Sequence, residues 1–216
     1  MDYLYLHGFA SGPQSSKAQF LRDRFHACGQ TLTVLDLNQN DFSHLTLSRQ
    51  IQQGMDWVAN RAAVTVIGSS FGGLTAAWLA QGFADRDGAR SPIVQLVLLA
   101  PAFQFLAQWL PRLGEETVTQ WRTSGWLSVY HYTQQQQCPL AYDFVTDAQR
   151  YDDSRLVAPI PTLILHGLHD DVIAIQASRD YAAARPWVRL VTLDSDHGLL
   201  NAGDQIWAEI RAELAL

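Results

Sequence analysis

The chain has 216 residues, 48% of them hydrophobic and 17% charged, which suits one globular domain with a sizeable core. A formal charge of −6 and the lack of any basic run argue against nucleic acid or an anionic membrane surface as partner. Cys28 and Cys138 lie far apart without metal-type spacing, which favours two reduced thiols in a cytoplasmic protein over a disulfide. No apolar run is long enough to span a membrane, and residues 3–6 already read as a strand, leaving no room for a signal peptide.

Strand-like Tyr-Leu-Tyr-Leu at 3–6 runs into His7-Gly8-Phe9-Ala10 and a loop with Gly12-Pro13. Ser15 or Ser16 can cap a helix whose apolar positions are Ala18, Leu21, Phe25 and Cys28, and Gly29 ends it. Residues 32–37 read as a second strand, and Leu47, Ile51, Met55 and Val58 form the stripe of a second helix. Val64-Thr-Val-Ile67 is β-branched and apolar, as expected of a strand buried on both faces. A helix follows to about Gly82, Asp85-Arg86-Asp87-Gly88 reads as a surface turn, and residues 93–100 form a fourth strand before Pro101.

The alternation then breaks. Residues 102–158 hold no run that reads as a buried strand. Pro111, Gly114, Gly125 and Pro139 divide the segment into short helices at most, and Gln134–Gln137 is expected to be a solvated turn. The rhythm resumes with a strand at 161–166, a helix at about 173–184, a strand at 187–193 and a last helix carrying Ile206, Ile210 and Leu214. Alternating strands and helices predict a parallel sheet covered on both faces. The expectation is a single domain over 1–216, with an insertion at about 103–158 lying over one end of the sheet.

Between the third strand and its helix stands Gly68-Ser69-Ser70-Phe71-Gly72, a match to G-x-S-x-G centred on Ser70. A strand, a sharp turn and a helix are the context of a nucleophile elbow. Gly68 and Gly72 would let strand and helix fold closely together. Ser69 does not fit that frame, because Ile67 and Phe71 occupy its glycine positions.

Ligands of open α/β sheets bind beyond the carboxyl ends of the strands, so partners for Ser70 are sought there. His197, just after the last strand, is the candidate base, since an imidazole titrates close to neutral pH. The orienting acid is expected after the fifth strand, in His166-Gly-Leu-His169-Asp170-Asp171, where the two aspartates compete and Asp194 and Asp196 stand further off. The fourth strand ends in Ala100-Pro101-Ala102 and offers no carboxylate. His166, His169, Asp170 and His197 do not have zinc-type spacing, so no metal is expected. Two backbone N–H groups should form an oxyanion hole: that of Phe71 and, after the turn at Gly8, that of Phe9. His7 is then a residue that fixes this loop.

As a set, His-Gly-Phe, Gly-x-Ser-x-Gly, His-Gly-x-x-Asp and Asp-His make the whole chain resemble an α/β-hydrolase. The opening Tyr5-Leu6-His7-Gly8-Phe9, with Pro13, Ser15 or Ser16, Lys17 and Ala18, is similar to the small YqiA-like esterase branch. The resemblance implies a three-layer fold with a six-stranded, mostly parallel sheet that lacks the antiparallel edge and carries a short helical lid. It maps the catalytic residues to Ser70, Asp170 and His197. The expected function is a serine hydrolase acting on a small-molecule ester or thioester of short to medium acyl chain, without a cofactor. Trp109 and Trp126 of the insertion are expected to line an apolar substrate pocket. The alternative is a ligand-binding or scaffolding protein that keeps the hydrolase shell. Nothing in the residues sets an oligomeric state.

Overall fold

The computed structural model describes residues 1–86 and 91–216. The first half contains β1 (Asp2–Leu6), α1 (Ser16–Ala27), β2 (Leu32–Leu35), α2 (Leu47–Val58), β3 (Val64–Ser69), α3 (Phe71–Ala84) and β4 (Ile93–Leu99). Then come α4 (Phe105–Leu113), α5 (Glu115–Ser124), β5 (Trp126–His131), β6 (Gln136–Ala141) and α6 (Asp143–Ala148). The chain continues through β7 (Thr162–Gly167), α7 (Ile175–Ala183), β8 (Val188–Leu193) and α8 (Gly203–Leu214). Gly29 ends α1 as expected, at φ +69°. Ser15 takes the N-cap position of that helix, although its side chain makes no capping bond. The turn expected at Asp85–Gly88 lies outside the described residues from Asp87 onward.

Six strands form one parallel sheet in the order β2-β1-β3-β4-β7-β8. Alternation along each strand divides the apolar residues between two faces. Leu4, Leu6, Val64, Val66, Leu96 and Leu98 join a core with α2, α3 and α7. Tyr3, Tyr5, Ile67, Val97, Leu99, Leu163 and Leu165 join a second core with α1 and α8. Strands buried on both faces need continuous apolar runs, and all six residues of β3 are buried.

The order reverses beside β1. The chain leaves β1 for β2 on one side, then returns to place β3 on the other. The ends of β1 and β3 are therefore neighbours, with Leu6 in register with Gly68, and open the crevice where ligands of such sheets sit.

The segment between β4 and β7 corrects one expectation. Besides short helices it contains an antiparallel hairpin, β5 paired with β6, whose turn includes part of the glutamine tract. The segment is not packed apart from the sheet. Trp121, Leu140 and Phe144 belong to the same apolar cluster as Phe71 and Leu74 of α3. The Tyr132 N–H donates to Ala10 O at 2.8 Å, tying the hairpin to the loop after β1.

Candidate active site

The turn from β3 into α3 is as tight as its sequence demands. Ser70 has φ +54° and ψ −119°, a strained conformation for a residue with a side chain. A Cβ at Gly68 would collide with the backbone of Gly72 and Gly73, and one at Gly72 with the carbonyls of Leu6 and His7. Gly8 lies against the elbow: a Cβ there would meet Ser69 O and the Ser70 Cβ at 3.4 Å, an ordinary contact distance.

Ser70 Oγ lies 3.0 Å from His197 Nε2, and His197 Nδ1 lies 2.7 Å from Asp170 Oδ2. This brings together the three residues singled out in the sequence and separates Asp170 from its competitors. Asp171 is exposed, Asp194 pairs with His169 at 2.8 Å, and Asp196 Oδ1 accepts the Leu199 N–H at 3.2 Å.

How His197 reaches a serine three strands away depends on Gly167. A Cβ on this residue would collide with the carbonyls of Ser195 and Asp196, so glycine allows the loop after β8 to cross directly over the end of β7. The His169 N–H donates to Ser195 O at 2.9 Å and closes the crossing.

Asp170 is held by four donors. Its Oδ1 accepts the N–H groups of Val172 at 2.9 Å and Ile173 at 2.8 Å. Its Oδ2 accepts from His197 and from His166 Nε2 at 3.0 Å. Burial alone would raise the pKa of this carboxyl, but the bonds from His166, His197 and Ile173 outweigh it and hold the pKa well below the usual carboxylate range. His166 itself is fully buried; its Nε2 also lies 3.0 Å from Ile173 O, which can only accept and so keeps the ring hydrogen on Nε2, beside Asp170, while Nδ1 is 2.8 Å from Ser178 Oγ. Sequence reading quoted His166 only within a motif and as a rejected metal ligand. Its signal was its place at the buried end of a strand, four residues before the acid.

Among the described residues, neither the Phe9 nor the Phe71 N–H meets a protein acceptor. His7 fixes their loop: its Nδ1 bonds Gly8 O at 2.9 Å, and its Nε2 accepts the Leu37 N–H at 3.0 Å. The Phe9 ring packs among Phe42, Phe71, Phe105, Trp109 and Phe144, with centroids 5.2–6.1 Å away.

A cavity of about 470 Å³ opens beside Phe71, lined by Leu74, Phe103, Phe105, Ala107, Ala148 and Tyr181, with Asp153 and Arg185 among its polar groups. Neither Trp109 nor Trp126 is among the residues that line this cavity. Trp109 stacks on Phe105 and edges against Phe9 inside the aromatic cluster. Trp126 is 47% exposed on the hairpin, against His44. The sequence carries no local signal for the lining of this cavity, because its residues come from five separate helices and the loops between them.

Structures of other proteins share this fold. A protein from Agrobacterium vitis S4 superposes with TM-score 0.80 at 23% identity, over 98% of this chain and 87% of that one. Alpha/beta hydrolase domain-containing protein 10 from mouse gives 0.77 at 16%, over 99% and 89%. Est1E from Butyrivibrio proteoclasticus with ferulic acid bound gives 0.76 at 19%, over 99% and 89%. No curated protein matches the sequence. The family described as "Uncharacterised protein family (UPF0227)" matches residues 2–212, so the chain belongs to this YqiA-like family, and its fold is that of the α/β-hydrolases.

Proposed function

We propose that this protein is a serine hydrolase that cleaves carboxylic esters, or thioesters, of short to medium acyl chain through an acyl-serine intermediate. The observation that carries the reading is the unbroken hydrogen-bonded series from Ser70 through His197 to Asp170, beside two amides that meet no acceptor among the described residues. Ser70 Oγ attacks the carbonyl carbon while His197 Nε2 takes its proton. Asp170 orients the imidazole and balances the charge it gains. The carbonyl oxygen becomes an oxyanion between the Phe9 and Phe71 N–H groups, a donor pair in which each member is worth roughly 3 kcal/mol in such sites. Collapse expels the alcohol or thiol, which takes the proton from His197. A water molecule, deprotonated by the same imidazole, then cleaves the acyl-serine and releases a carboxylic acid and free Ser70.

This sequence of steps calls on no cofactor. The 470 Å³ cavity is the natural receptor for the acyl chain, since its volume falls in the range of small-ligand sites and most of its wall is apolar. The related fold of Est1E holds a carboxylic acid, ferulic acid, which is the product class of the proposed reaction. Two free cysteines suit a reducing compartment, so we assign the activity to the cytoplasm.

The test is labelling of the purified protein with a fluorophosphonate. Ser70 is expected to be the one labelled residue, and Ser70→Ala is expected to lose both labelling and ester hydrolysis while keeping its fold. Labelling on Ser69, or labelling that survives in the variant, would refute the assignment.

A further inference from the structure

Lys17 sits where helix physics gives it no support. It is the second residue of α1, at the positive end of the helix dipole, and the first turn carries no acidic residue. Its side chain does not simply extend into water. It lines a cavity of about 220 Å³ with Leu21, Leu99, Leu199 and Ile206, and its Nζ approaches His197 O at 3.5 Å. The carboxylates acting on it come from two other loops: Asp170 after β7 and Asp196 after β8. Of the other charges on α1, Arg24 is paired with Asp204 of α8 at 2.6 Å.

We propose that Lys17 is a positioning residue for the base, its ammonium anchoring the loop after β8 so that His197 Nε2 stays aimed at Ser70. This deepens the serine-hydrolase reading and rests on it. The charge balance fits. When His197 takes the serine proton, two cations, Lys17 and His197, face two carboxylates, Asp170 and Asp196, and the cluster is neutral overall. Burial pushes the Lys17 pKa down to about 8, while Asp170 and Asp196 pull it back up. The anchor is therefore charged at neutral pH and is lost on the alkaline side.

Two variants test this, followed by the pH dependence of Ser70 phosphonylation and of ester hydrolysis. Lys17→Met keeps the apolar stem and removes the charge, whereas Lys17→Arg keeps a charge that does not titrate below pH 12. The wild type is expected to lose activity above about pH 8. Lys17→Met should be roughly 10- to 100-fold slower at pH 7, as expected of a misaimed base, and should lack the alkaline fall. Lys17→Arg should restore the rate and keep it at pH 9. A folded Lys17→Met with wild-type rate and profile overturns the proposal. So does an alkaline fall near pH 8 that persists in Lys17→Arg, which remains readable if Lys17→Met does not fold. If wild-type Ser70 takes no label at all, the hydrolase reading fails, and the anchor is read instead from the ¹⁵N resonances of the His197 ring. A step near pH 8 that is absent in Lys17→Arg supports the anchor, and no such step in the wild type overturns it.

Discussion

At Asp170 each carboxylate oxygen has two donors, two backbone amides on Oδ1 and two imidazoles on Oδ2. An amide in its place would turn an NH₂ group either toward the two backbone amides, which can only donate, or toward the imidazoles, which would then have to accept. Asp170→Asn is therefore expected to cost on the order of 10⁴ in kcat by favouring the wrong His197 tautomer. Asp171→Asn, on an exposed side chain, is expected to change the rate by less than about tenfold. Measuring kcat for both on one chromogenic ester separates them; a crippled Asp171→Asn would move the acid by one residue. The depressed pKa of Asp170 has a stability consequence of definite sign. Ionised Asp170 stabilises the fold fully above the unfolded carboxylate value near 4, and that contribution fades as pH falls through the lower folded value. Urea denaturation should show the gap between wild type and Asp170→Asn narrowing below about pH 4. At this scale the sequence was legible because the triad residues sit at strand ends bounded by glycine. His166 and Gly167 were not, since their roles exist only once two loops cross.

Among the elements, the β5–β6 hairpin was the one that sequence reading did not find. Its strands carry no continuous apolar run: β5 alternates exposed and partly buried residues, and β6 begins in a glutamine tract and contains Pro139. What holds it is non-local. His131 packs edge-on against Phe42 and lies 3.3 Å from Asn38 Nδ2, and Trp121 Nε1 donates to Leu140 O at 2.9 Å. Periodicity within the segment cannot register partners nearly a hundred residues away. The two tryptophans of this region should behave in opposite ways. Trp121, 1% exposed, is part of the core, and Trp121→Ala is expected to cost about 3–5 kcal/mol. Trp126, 47% exposed, should cost less than about 1 kcal/mol and leave acyl-chain preference unchanged. Thermal melts and an ester series check both. A change of preference in Trp126→Ala would return that residue to the substrate pocket.

Over the whole molecule, the apolar runs made the six parallel strands readable, and the motif order put the candidate site residues at strand ends on one rim of the sheet. The cavity was not readable, because its wall is assembled from α2, α3, α4, α6 and α7 and has no local pattern. It also provides a test of the acyl-chain assignment. Ala107 on α4 and Ala148 on α6 both line it, the first exposed and the second buried. Enlarging either side chain removes volume that only a longer acyl chain needs, while acetyl transfer to Ser70 needs little more than the oxyanion amides. Ala107→Trp and Ala148→Leu are therefore each expected to lower kcat/KM for a hexanoyl or octanoyl ester roughly tenfold more than for an acetyl ester, the loss of a few favourable apolar contacts. Ala148→Leu should also cost about 1–3 kcal/mol if the added methyls crowd the packed side of α6, whereas Ala107→Trp should leave stability nearly unchanged. The ratio of the two esters is the deciding quantity, because a general loss of folded protein lowers both rates equally. If both variants fold and keep the wild-type ratio, the acyl chain does not enter this cavity.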